Sequence, residues 1–218
     1  MKKGVFIGAA VFTVIVIFVG IQIGINLESA RADETRQFLE DTEVLFSDAR
    51  LQALYYESDN LTADQCNNAL QSNLLFNDII YEEGVKLERY ETSNKIIELT
   101  SERRRYGLLQ MQFWLNAERI RNKCNFDYST AAYLFKVNTT DEAIRFNQRL
   151  TSALLLEIKE ECGSKLMLSP MPFNLNLISI DALKTNHNIT ETPAILINDK
   201  EVILGVPEKE LLIQKFGC

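Results

Sequence analysis

The sequence predicts an α/β domain with elements in the order β-α-β-α-β-β-α, set behind an all-α helical hairpin and one N-terminal transmembrane helix. Three observations carry this prediction. An uncharged run covers Gly4 to Ile25. No proline occurs between Glu28 and Lys165, whereas all four lie between Pro170 and Pro207. From Ala131 onward, helical spacing gives way to short apolar runs alternating with helical stretches and turn residues. The 218 residues are 46% hydrophobic and 24% charged, which suffices for a core and excludes disorder. A net charge of −7 argues against a nucleic-acid partner, because phosphate binding needs a basic face. A single histidine argues against histidine catalysis and most metal sites.

Taken in order, the first element is the uncharged run. Its length of roughly 33 Å as a helix matches a bilayer core of about 30 Å. It is longer than the apolar region of a signal peptide, although Ser29-Ala30-Arg31-Ala32 leaves cleavage open. Lys2 and Lys3 precede it, and Glu28, Asp33 and Glu34 follow it. The positive-inside rule then places the N-terminus in the cytoplasm and everything after Asn26 outside the cell membrane. Sequons at Asn60, Asn138 and Asn188 agree with that orientation. So does the even count of four cysteines.

The helical part comes next. Phe38, Leu39, Leu45, Phe46, Ala49 and Leu54 recur at helical spacing up to Tyr56, and Ser58-Asp59-Asn60 reads as a turn. A second helix starts near Thr62 or Asp64 and runs to about Tyr90, where Thr92-Ser93-Asn94 breaks it. A third covers Lys95–Lys123, with Leu99, Leu108, Met111, Leu115 and Ile120 on its buried side. Position 95, beside the turn, is the midpoint between Cys66 and Cys124. In an antiparallel hairpin those two cysteines meet at the open end and can bond; otherwise they are two separate buried thiols. Trp114, Phe113 and Tyr106 read as packing, and Glu102-Arg103-Arg104-Arg105 as a solvated face.

The last part reads as strand Ala131–Val137, helix Asp141–Glu161 and strand Lys165–Ser169. A short helix from Leu177 to about His187 follows, capped by Asn176. Strands Pro193–Ile197 and Glu201–Leu204 are joined by Asn198-Asp199-Lys200, and a terminal helix begins at Pro207. The boundaries fall at 1–25 for the tip and anchor, 26–124 for the helical hairpin and 125–218 for the α/β domain.

The segment Asn188-Ile189-Thr190-Glu191-Thr192-Pro193-Ala194-Ile195-Leu196-Ile197-Asn198 resembles the region around the cis-proline of thioredoxin-like domains. Gly205-Val206-Pro207-Glu208 is similar to the sequel in that family. The whole outer region is similar to archaeal membrane-anchored proteins that pair a cysteine-stapled hairpin with a thioredoxin-like domain. Gln112-Phe113-Trp114-Leu115-Asn116 and Asn174-Leu175-Asn176-Leu177 carry that likeness. The resemblance implies a cis Thr192–Pro193 bond. It also implies a peptide-binding surface formed by Thr192, Pro193, Asp141 and Glu142.

Active relatives place Cys-x-x-Cys at the first turn of the helix that follows the first strand, where the helix N-terminus lowers a thiol pKa. Here the two slots fall near Glu142 and Arg145, and no Cys-x-x-Cys occurs anywhere. In a thioredoxin-like sheet, the helices ending at Cys162 and Cys218 lie on one face, which implies a structural bond between them. Unpaired thiols, crossed pairing or a resolving role for the terminal cysteine stay open. No catalytic residue, metal or cofactor is expected. The expected function is non-catalytic protein binding or scaffolding; the alternative is thiol–disulfide exchange through Cys162 or Cys218. A plain oligomerising stalk is the third reading.

Overall fold

The structure, a computed structural model, describes the backbone of residues 2–56, 61–93 and 100–218. The turn at Ser58–Asn60, the sequon asparagine Asn60, and positions 94–99 with Leu99 lie outside the described residues. Two compact units are present, Met1–Leu45 and Phe46–Cys218.

The first unit is helical. Helix α1 (Lys2–Tyr55) begins in it and carries an exposed apolar stretch at 11–25. The change in composition at Asn26, read from sequence as the end of an element, is no helix boundary, because α1 continues through the charged residues that follow. Among the described residues no helix is long and apolar enough to cross a membrane, which overturns the expected transmembrane element.

The α/β expectation is also corrected: the chain is mostly helical, with a small mixed sheet of four strands. The reason is length. Helices α2 (Ala63–Ser93) and α3 (Thr100–Cys124) have 31 and 25 residues, whereas the strands have 7, 7, 4 and 4. A reciprocal cap starts α2: Gln65 N–H donates to Thr62 Oγ1 at 3.3 Å and Thr62 N–H to Gln65 Oε1 at 2.8 Å.

From Ser129 the order is β1 (Ser129–Phe135), α4 (Glu142–Cys162), β2 (Leu166–Pro172), α5 (Ile178–Asn186), β3 (Ala194–Ile197), β4 (Glu201–Leu204) and α6 (Lys209–Phe216). Strand order across the sheet is β2-β1-β3-β4, with β1 parallel to β2 and antiparallel to β3. Two helix starts differ slightly from expectation. Asn176 does not cap α5; it adopts a left-handed conformation, and Leu177 is the capping position without a side-chain bond. Helix α6 starts after Glu208 rather than at Pro207.

Side chains alternate across β1 because successive residues of a strand face opposite sides. Ala132 and Leu134 join Met111 and Trp114 of α3 and Ile180 and Leu183 of α5 in one cluster. Ala131 and Tyr133 join Leu155 and Ile158 of α4 and Leu212 and Phe216 of α6 in the other. Helix α3 is therefore one covering layer of the sheet as well as half of a helix pair. That double role buries residues nearly all round it and turns Leu115, 41% exposed, outward. Gly107 permits the close approach to the sheet, since a Cβ there would lie 2.7 Å from Pro172 Cγ.

The prolines of β2 have positional meaning. Phe173 N–H donates to Phe135 C=O at 2.7 Å, so odd-numbered residues of β2 face β1. Pro170 and Pro172 then point their missing donors to the free edge, where no ladder bond is lost and strand addition is disfavoured. Lys159 Nζ covers another edge group, Leu166 C=O, at 2.7 Å.

Candidate functional site

Because β1 and β2 are parallel, the domain has two chemically different ends. The end before β1 and β2 is stapled. Cys66 bonds Cys124, Cys162 bonds Cys218, and no cysteine is free. There Glu118 accepts from Thr130 Oγ1 and pairs with Arg121 at 2.8 Å, while Arg121 Nη2 also donates to Asn198 C=O at 3.3 Å. Asn198 Oδ1 accepts from Thr130 N–H at 2.9 Å, and Ser129 Oγ donates to Phe216 C=O at 3.0 Å. Tyr128 donates to Ala117 C=O at 2.6 Å; burial first, and Glu118 second, hold its phenol well above the ordinary range. His187, the C-cap of α5, meets Asp199 Oδ1 at 2.8 Å.

The opposite end holds the residues expected to form a binding surface. Leu134 pairs with Ala194, which sets Pro193 level with Phe135 at the close of β1. The Thr192–Pro193 bond is cis, both residues are buried, and Thr192 Oγ1 has no hydrogen-bond partner among the described residues. Asp141 caps α4, its Oδ1 accepting from Ala143 N–H at 2.9 Å and Ile144 N–H at 3.1 Å. Its charge sits where the helix dipole favours an anion. The two expected thiol slots, Glu142 and Arg145, lie in the first turn of α4 and pair loosely with each other at 3.6 Å. No sulfur is present there. Asn138 and Asn188 are exposed and left-handed, so each sequon asparagine also has a turn role that asparagine tolerates well.

Two carboxamides that sequence reasoning did not single out as site residues shape this end. Gln148 of α4 accepts from Lys136 N–H at 2.9 Å and donates to its C=O at 3.0 Å. Asn174 does the same for Val137, at 2.8 Å and 2.9 Å. Each mimics a strand partner, so the backbone leaving β1 is gripped on both sides. The only signal in sequence was Asn174 within the stretch that carries the family likeness; nothing marked Gln148.

Beside this gripped segment a groove of about 520 Å³ opens between α4 and the β2 edge. Tyr133, Phe135, Leu155, Leu156, Leu168 and Pro170 form its apolar surface, with Arg145 and Arg149 at its rim. Burial raises the Tyr133 phenol, whose hydroxyl donates to Gln148 C=O at 2.9 Å. A second groove of about 320 Å³ shares Phe135 and Pro170 and adds Lys136 and Tyr106. Both grooves are concave and mostly apolar, edged by a few polar groups. Among the described residues no cluster of metal-ligating side chains occurs. No family model matches the chain, and no curated protein matches it.

Proposed function

We propose that this chain is a non-catalytic polypeptide-binding or scaffolding protein that works in an oxidising compartment outside the cytoplasm. The carrying observation is the use of the cysteines. All four are closed into two bonds at one end of the domain, while the first turn of α4 at the other end holds Asp141, Glu142 and Arg145. A degenerate relative of thiol-exchange proteins, one that kept the cis-proline turn and lost the thiols, would have this pattern. Closed pairs of this kind persist where glutathione and thioredoxin do not reduce them. The open apolar groove beside the α4 start supports binding over a purely structural stalk.

The test combines an insulin-reduction assay with a peptide-array screen on the full chain. The reading expects no turnover above a thiol-free control, together with retained peptides. Turnover that disappears in Cys218→Ser would replace it with thiol–disulfide exchange through Cys162 and Cys218.

A further inference from the structure

We infer that the α4–β2 groove seats an acidic polypeptide segment bearing apolar side chains, an inference that rests on the polypeptide-binding reading. The first support is charge. The protein carries −7 overall, yet neither groove is lined by a single aspartate or glutamate, and Arg145, Arg149 and Lys136 edge them. Basic groups gathered around an apolar floor on an acidic protein complement a ligand that is itself acidic and apolar. Glu142 is the acid paired with Arg145, but its side chain is 91% exposed and the pair spans 3.6 Å. Such a surface pair is weak and a ligand carboxylate can replace it.

The second support is the exposed face of α4. Leu156, 55% exposed, lines the groove, and Phe146, 61% exposed, follows the rim residue Arg145 on the helix. An apolar face of this kind beside a groove marks a contact surface.

The third support decides how the segment is read. Pro170 and Pro172 remove two donors from the β2 edge, which disfavours extension of the sheet by a ligand. Recognition passes to side chains, apolar ones in the groove and carboxylates on the rim. Binding of that kind is sensitive to ionic strength, unlike a backbone ladder.

The experiment titrates the full chain with three fluorescein-labelled peptides of equal length, alternating leucine with glutamate, glutamine or lysine. The glutamate peptide is expected to bind about tenfold tighter than the glutamine peptide, with the gap closing at high salt. The double variant Arg145→Glu/Arg149→Glu, with thermal unfolding as a folding control, is expected to abolish the preference and favour the lysine peptide. Equal affinity for glutamate and glutamine, or a preference untouched by the double variant, overturns the acidic partner and leaves peptide binding intact. Failure of all three peptides to bind removes the polypeptide-binding reading itself. A dimer in sedimentation that the double variant dissolves would assign the groove to a second copy and overturn the inference.

Discussion

The two ends of the sheet solve different problems. Before β1 and β2, buried polar groups are paired one to another, and two disulfides close the ends of α3, α4 and α6. Beyond the close of β1, two carboxamides grip a short backbone segment and an apolar groove stays open. Buried polar networks are costly when half-made, so the stapled end gains from the partners it has, although Arg121 Nε finds none among the described residues. The open end leaves apolar surface uncovered, which stability alone does not favour. The difference teaches that the bonds holding the domain together and the open groove are separated along one strand. A change at one end should leave the other working.

The largest way to break that separation is to cut a staple. Replacing Cys66 and Cys124 with alanine opens a link spanning 58 residues and should cost about 4 kcal/mol by the loop-entropy relation. Urea unfolding measures it, and peptide affinity of the folded variant should not change. A smaller break is Glu118→Ala, which strands Arg121 and Thr130 without their carboxylate. About 3 kcal/mol should be lost. A loss of only a few tenths, as for an exposed pair, would mean that the network is not a unit.

Gly107→Ala sharpens the comparison differently. In an open helix the change stabilises, whereas here the new methyl meets the rigid Pro172 ring, so a loss of about 2 kcal/mol is expected. The smallest effect concerns alkaline pH. Burial raises the phenols of Tyr128 and Tyr133, so their contribution is present below about pH 10 and fades as pH rises past the unfolded value. Stability should fall there by about 1.4 kcal/mol per pH unit for each tyrosine. Tyr128→Phe should flatten that slope by its own share in unfolding curves taken on both sides of that pH.

Elements whose signal is local were legible in the sequence. The helix expected over Asp141–Glu161 matches α4 to within a residue at each end, and Glu201–Leu204 between turn residues marked β4. Equal arm lengths left either a bond or two separate thiols open for Cys66 and Cys124, and the bond is the one present. What depends on tertiary layers was not legible. Nothing in the periodicity of α3 says that it faces both α2 and the sheet, so Leu115 was assigned to the wrong side. The apolar stretch before Asn26 read as a separate membrane element because composition changes there, yet the helix does not end. At the candidate site, the start of α4 near Asp141 and the Pro193 segment were visible in the sequence. Gln148 and the groove were not, because a carboxamide mimicking a strand partner leaves no pattern in the chain.

The most direct measurement is an amide NMR titration of the full chain with the glutamate–leucine peptide. The account predicts shifts at Lys136–Asn138 and along Arg145–Leu156, with Cys124–Thr130 and the Asn198 turn unmoved. Shifts centred on the stapled end, or spread evenly over both ends, would contradict it.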